Sequence, residues 1–98
     1  MTYQDLINSK ATVLVEFYAS WCPHCRRMMP VVEQIRELLG DRADVYQLDV
    51  DENKATVDEV GVQSMPTFII YSHGKEVWRR SGEMDGEVLL GKVESYMN

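Results

Sequence analysis

The sequence has too few cysteines for a disulfide-stabilised secreted domain, because Cys22 and Cys25 are the only two in 98 residues. Small secreted domains usually hold several bridges that compensate for a small core. The chain also has no basic excess, since 10 Lys and Arg stand against 16 Asp and Glu, for a net charge of -6. Nucleic-acid binding needs a basic surface that neutralises phosphates, so we expect no nucleic-acid partner.

Long apolar runs are missing as well. The longest, Met65–Tyr71, is interrupted by Pro66 and Thr67 and is far shorter than the roughly 20 residues that a helix needs to cross a bilayer. The N-terminal stretch MTYQDLINSK has neither the basic n-region nor the apolar h-region of a secretory signal. We therefore expect no membrane partner and a cytoplasmic location, unless a signal has been removed from a longer precursor.

The overall composition is that of a folded globular protein, with 45% hydrophobic and 27% charged residues. A chain of this length is long enough for one hydrophobic core but too short for two. We predict a single domain over residues 1–98 that is stabilised by this core.

Hydrophobic periodicity predicts the order helix, strand, helix, strand, helix, strand, strand, helix. The four strand-like runs are Thr12–Tyr18, Asp44–Val50, Pro66–Ser72 and Lys75–Arg80, and the helical runs begin near Thr2, Cys22, Glu52 and Asp85. A long helix between the first two strands predicts a right-handed parallel crossover, and His73-Gly74 predicts a tight antiparallel hairpin. The predicted fold class is α/β, with a mixed four-stranded sheet and helices on both faces.

The two cysteines stand three positions apart in WCPHC, a spacing found in half of many zinc sites. A structural zinc usually takes four ligands, and a second pair is missing here. His24 lies in the same turn as the cysteines, and His73 lies on a distant hairpin. We expect no metal site within one chain. A zinc ion shared between the cysteine pairs of two chains is the alternative that stays open.

The position of the pair favours redox chemistry, because it follows a strand directly and opens a helix. Unpaired N–H groups and the helix dipole stabilise an anion at a helix N-terminus, so Cys22 is predicted to be the nucleophilic thiolate. Cys25 lies one turn further in, on the inward side of the helix. We predict that it is the resolving thiol.

Two separated segments, VEFYASWCPHC and SMPTF, resemble the thioredoxin family. The resemblance covers nearly the whole chain and includes LDVDEN, SHGKEV and Gly82. It implies the thioredoxin fold and reversible exchange with disulfide-containing protein substrates through a redox-active Cys22–Cys25 disulfide, without a further cofactor. We expect the leading β-strand of thioredoxins to be missing, because only Met1 precedes Thr2. One sheet edge is then either exposed or covered by the first helix.

The resemblance also implies a substrate-binding groove. Trp21 matches the aromatic residue that shields the site, and Tyr18 matches a second aromatic beneath it. Pro66 matches the family's cis-proline, so the Met65 backbone is expected to pair with a bound substrate chain. Gly82 matches the glycine that keeps the opposite rim of the groove open.

Glu16 occupies the place where the family usually has a buried aspartate. Because apolar Val15 and Phe17 flank it, we interpret Glu16 as a catalytic general base that acts through water on Cys25. The alternative is a carboxylate that merely reaches solvent at a strand edge. Glutamate is longer than aspartate, and Gln47 stands where the family often has a lysine, so proton transfer is expected to be tuned differently.

The dipeptide Pro23-His24 replaces the Gly-Pro of typical thioredoxins and resembles that of the periplasmic Dsb-type disulfide oxidases. We expect His24 to stabilise the Cys22 thiolate and with it the reduced protein, which makes a stronger oxidant. A solvent-exposed histidine with little effect is the alternative. The oxidases carry a large helical insertion that does not fit in 98 residues. We therefore predict a cytosolic protein-disulfide reductase that is more oxidising than typical thioredoxin and is recycled by a thioredoxin reductase or by glutathione.

A small apolar contact surface for protein partners is predicted around the cysteines; it consists of Trp21, Val62, Met65 and Pro66. Acidic Glu83 lies near its rim and is expected to influence partner choice. Arg26 and Arg27, on the first turn of the long helix, are interpreted as solvated charges. The alternative function is a non-catalytic module that docks a partner or holds a metal through its cysteines.

Overall fold

The computed structural model describes residues 1–97, and Asn98, the last residue of the predicted domain, lies outside the described residues. Helices and strands follow one another in the predicted order. The helices are α1 (Tyr3–Ile7), α2 (Pro23–Leu39), α3 (Lys54–Val60) and α4 (Gly86–Ser95). The strands are β1 (Thr12–Tyr18), β2 (Asp44–Asp49), β3 (Thr67–Ser72) and β4 (Lys75–Ser81).

The strands form one mixed sheet in the order β2-β1-β3-β4. β1 and β2 run parallel and are joined through α2, whereas β3 runs antiparallel to both β1 and β4. The hairpin between β3 and β4 turns at His73 and Gly74, which both have positive φ, 51° and 80°. Two successive residues of this kind match the right-handed twist of the flanking strands. The predicted α/β fold is confirmed.

β1 lies at the centre of the core, because its side chains alternate between the two faces of the sheet. Val13, Val15 and Phe17 pack with α1 and α3 on one face, and Leu14 packs with α2 and α4 on the other. All four side chains are completely buried. Helices therefore cover both faces, and the alternation places Glu16 on the face that carries α2.

α2 begins and ends where its sequence predicts. Cys22 is the N-cap residue, and Pro23 takes a first-turn position in which its missing N–H costs nothing. Pro30 lies inside the helix without ending it, and Gly40 follows the last residue with a φ of 58°. The stripe that α2 buries against the sheet includes Met28, Val32, Ile35 and Leu39. This packing fixes the start of α2, and with it the cysteines, at the end of β1.

Within residues 1–97 no strand precedes α1, in agreement with the prediction. β2 therefore forms one edge of the sheet. α1 packs on a face of the sheet and leaves this edge to other groups. Ser9, just after α1, donates to Asp44 over 2.6 Å, and the Arg36 guanidinium donates to the Val45 carbonyl over 3.1 Å. The edge is therefore partly covered, by the segment after α1 and by a side chain of α2.

Candidate active site

The two cysteines lie where β1 passes into α2, and both are free thiols. Cys22 is the more accessible, with 7% of its surface exposed against 1% for Cys25. Sγ of Cys22 lies 3.8 Å from the carbonyl oxygen of Met65. The outer thiol therefore faces the Met65-Pro66 turn, while the inner thiol lies in the core.

The start of α2 lowers the pKa of the Cys22 thiol. The backbone N–H of Cys25 contributes most, the Cys25 side chain adds to it, and the His24 N–H and the Arg27 charge act in the same direction. Burial, with smaller contributions from the nearby Cys22 and Glu16, instead raises the pKa of Cys25 to about 11. Cys22 is therefore the better nucleophile near neutral pH, and Cys25 needs a base to lose its proton.

Glu16 is completely buried on β1. Its Oε1 accepts a hydrogen bond from Nε2 of Gln47 over 3.0 Å, whereas its Oε2 has no hydrogen-bond partner. Burial raises the pKa of Glu16 to about 7, although the Gln47 bond and the charge of Arg36 oppose this shift. The alternative of a carboxylate that reaches solvent is therefore wrong. Glu16 is able to exchange a proton near neutral pH.

Gln47 stands opposite Glu16 in the register of β1 and β2. Nη2 of Arg36 donates to Oε1 of Gln47 over 3.2 Å, which leaves the amide nitrogen to donate to Glu16. A neutral amide supplies a hydrogen bond but no charge, so it compensates the burial of a carboxylate less than an ammonium would. The position of Gln47 was predicted from the sequence, but its hydrogen bond with Arg36 was not.

We expect Gln47→Lys to lower the pKa of Glu16, because an ammonium in this place favours the carboxylate form. Gln47→Met has a similar length without charge or donor, and it is expected to raise the pKa of Glu16. NMR titration of the Glu16 carboxyl in the three proteins measures both effects. An identical titration midpoint in all three would contradict the interaction between Gln47 and Glu16.

The predicted substrate-contacting residues differ in their accessibility. Trp21 is 59% exposed, and its indole Nε1 donates to Asp51 over 2.9 Å. Met65 is half-buried, and the bond that joins it to Pro66 is cis, as the resemblance implies. Pro66 and Val62 are buried. The accessible part of the predicted apolar contact surface therefore consists of Trp21 and Met65.

The contact between Trp21 and Asp51 was not predicted from the sequence. Two signals point to it: a tryptophan N–H usually needs a hydrogen-bond acceptor, and an acidic run follows β2. This bond joins the segment after β2 to the segment before α2. The indole is thereby held in one orientation beside the cysteines.

Gly82 connects the loop after β4 to the Met65-Pro66 turn, because its N–H donates to the Pro66 carbonyl over 2.8 Å. Its φ is 97°, a backbone conformation that residues other than glycine rarely adopt. A Cβ added here would meet no atom within 4 Å. This open space agrees with the predicted rim of a groove.

The imidazole of His24 pairs with Glu83. Its Nδ1 lies 2.5 Å from Oε1 of Glu83, and only the backbone N–H of His24 acts on the Cys22 thiol. Arg27 donates to the same Glu83 oxygen, so it is not a merely solvated charge. Arg26 donates from Nε to the Ser20 carbonyl over 3.1 Å.

No group of three or more His, Cys, Asp or Glu side chains in residues 1–97 is arranged to hold a metal ion. In the same range, none of the helices is both long enough and apolar enough to span a membrane.

Comparison with known proteins identifies the family. The Thioredoxin family model matches residues 1–95. Thioredoxin from Alicyclobacillus acidocaldarius subsp. acidocaldarius is 39% identical over 91 residues, which cover 93% of this chain and 87% of the relative. Chloroplastic thioredoxin Y of Oryza sativa subsp. japonica is 34% identical over 95 residues, 96% of this chain, and the match spans only 56% of that relative's length.

A solved structure gives the same result. A mutant thioredoxin from Halobacterium salinarum NRC-1 aligns with a TM-score of 0.89 at 35% identity, over 98% of this chain and 83% of that one. The matched range spans the cysteine pair, Glu16, Pro66 and Gly82. A thiol of lowered pKa at a helix start and an inner thiol three residues later are the groups that thiol–disulfide exchange requires. The chain belongs to the thioredoxin family of thiol–disulfide oxidoreductases.

Proposed function

We propose that this protein is a cytosolic protein-disulfide reductase whose reduction potential is more oxidising than that of typical thioredoxins. The backbone N–H of residue 24 is the observation that supports a higher reduction potential. The N–H groups of His24 and Cys25 both favour the Cys22 thiolate. In the Gly-Pro dipeptide of typical thioredoxins, a proline stands in this place and has no N–H to offer. An additional donor stabilises the reduced protein and so raises its potential.

The reaction consists of two exchanges. The Cys22 thiolate attacks one sulfur of a substrate disulfide, forms a mixed disulfide and releases the other sulfur as a thiolate. Cys25 then loses its proton to Glu16, through a water, and attacks Sγ of Cys22. The second substrate sulfur leaves, and the protein keeps a Cys22–Cys25 disulfide. The substrate has gained two electrons and the protein has lost two.

Substrate binding in this proposal uses the exposed side chain of Trp21, the half-buried side chain of Met65 and the backbone of Met65. The Met65 carbonyl lies beside the attacking sulfur, which supports its pairing with a substrate chain next to the disulfide. Pro66 and Gly82 hold the two walls of the groove together through their backbone hydrogen bond.

Recycling returns the disulfide to the dithiol with two electrons from a flavin-dependent thioredoxin reductase or from glutathione. Either donor fits a cytosolic location, where these systems keep thiols reduced. Purified protein supplied with each donor in turn distinguishes them by the rate at which its dithiol reappears.

We expect His24→Pro to lower the reduction potential, because proline removes the N–H that stabilises the thiolate. A hydrogen bond to a charged group corresponds to about a tenfold change in the equilibrium constant with glutathione, or about 30 mV. His24→Ala keeps the N–H and loses the imidazole, so as the matched control it should shift the constant less than about threefold. Each protein is equilibrated in glutathione buffers, alkylated and weighed by mass spectrometry. An unmoved midpoint for His24→Pro would refute the assignment to the N–H.

A further inference from the structure

One acidic side chain binds two basic groups at the start of α2. Oε1 of Glu83 lies 2.6 Å from Nη2 and 2.9 Å from Nε of Arg27, and 2.5 Å from Nδ1 of His24. Glu83 follows Gly82 in the loop between β4 and α4. The cluster of His24, Arg27 and Glu83 therefore joins the helix that carries the cysteines to the opposite rim of the groove.

Arg27 is hydrogen-bonded to Glu83, and its charge also acts on the Cys22 thiol. Its hydrogen bonds are the main reason that the pKa of Glu83 falls to about 2, and its charge also lowers the pKa of the Cys22 thiol. Glu83 is therefore ionised wherever a thiol titrates. An ion pair exerts a much weaker field on a third group than an isolated guanidinium does, because the two charges largely cancel.

We propose that Glu83 is a positioning residue that sets the reduction potential of the Cys22–Cys25 pair by neutralising Arg27 beside the reactive thiol. Without Glu83, the Arg27 charge acts on Cys22 uncancelled, the thiolate and the reduced protein are stabilised, and the potential rises. Without Arg27, the Glu83 charge acts alone and the potential falls. Glu83 thus opposes the effect of the N–H at residue 24. This inference rests on the proposed exchange through Cys22 and Cys25.

His24 has to be separated from this effect. Its Nδ1 faces an acceptor in Glu83 and, 2.8 Å away, a donor in Arg27. A protonated nitrogen donates to Glu83, and an unprotonated one accepts from Arg27, so the two contacts are alternatives. Arg27 keeps its own two bonds to Glu83 in both states. Measurements repeated in a His24→Ala background therefore isolate the pair of Arg27 and Glu83.

The test compares wild type, Glu83→Gln, Arg27→Gln and the double variant. Each is equilibrated in glutathione buffers, alkylated and weighed. For a partly exposed ion pair, we expect Glu83→Gln to shift the equilibrium toward reduced protein about threefold, or about 15 mV, and Arg27→Gln to shift it back by a similar factor. The double variant should return to within about 1.5-fold of wild type, since the two charges act on each other.

A second readout excludes a merely structural effect. The rate of Cys22 alkylation by iodoacetamide at neutral pH should increase in Glu83→Gln and decrease in Arg27→Gln, because only the thiolate reacts. The control is Glu94→Gln, which removes an acid from another exposed ion pair, with Arg42 beyond the opposite end of α2. It should change neither the midpoint nor the alkylation rate.

The inference is overturned if Glu83→Gln lowers the potential or leaves it unchanged, or if its effect is the same with and without Arg27. Failure of the proposed function looks different. In that case wild type itself forms no reversible Cys22–Cys25 disulfide in glutathione buffers and reduces no insulin disulfides. Equal midpoints among variants that all reduce insulin refute only the part assigned to Glu83.

Discussion

Cys22→Ser is expected to reduce insulin disulfides no faster than dithiothreitol does without protein. Serine has no thiolate at neutral pH, and Cys25 cannot take over the attack, because burial raises its pKa to about 11. Turbidity from the released insulin B chain measures the rate. Cys25→Ser is the matched variant, since it makes the same atomic change three residues away and leaves the attacking thiol in place.

The two serine variants also decide between the two candidate functions. Far-UV circular dichroism should be the same in both, because one sulfur is replaced by one oxygen in each case. If Cys22→Ser reduced insulin as fast as wild type, catalysis through the cysteine pair would be excluded. A non-catalytic module that docks partners would then describe the protein better.

Glu16→Gln is expected to gain stability relative to wild type as the pH rises. The unfolded chain releases the Glu16 proton near pH 4.5, whereas the folded protein holds it until about pH 7. The folded state therefore binds more protons in this window, and its free energy of unfolding falls as the pH rises. This loss corresponds to about 3 kcal/mol across the window and is absent in the variant.

Urea unfolding of both proteins from about pH 4 to about pH 8 measures this difference. Wild type and Glu16→Gln should lie closest at low pH, where the carboxyl is neutral, and should diverge by about 3 kcal/mol above pH 7. Parallel curves would mean that Glu16 has the same pKa in the folded and the unfolded protein. In the same variant, resolution of the mixed disulfide by Cys25 should slow down, because its general base is lost.

The sequence predicts most of the fold because the signals are local. Thr2 and Asp5 form the capping box of α1 by bonds over three residues, and Gly40 and Gly61 follow the ends of α2 and α3. The start of α3 is less predictable. It begins at Lys54 and not near Glu52, because Asp49 and Asn53 form side-chain bonds that keep residues 50–53 in a turn.

The candidate site is predictable in its chemistry but not in its contacts. WCPHC and the acid in β1 are visible in the sequence, and so is the identity of Gln47 opposite Glu16. The pairing of Glu83 with Arg27 and His24 joins residues 56 and 59 positions apart. Several exposed acids compete for such arginines in a chain with an acidic excess, and only the folded loop brings one of them within reach.

The most direct measurement is the intact mass of Cys25→Ser after it is mixed with a disulfide-containing protein such as insulin. We expect a covalent adduct with one substrate, which dithiothreitol removes, because Cys22 attacks and no second thiol resolves the mixed disulfide. Cys22→Ser under the same conditions should form none. An adduct that forms through Cys25 in Cys22→Ser, or the absence of any adduct in Cys25→Ser, would contradict attack by Cys22.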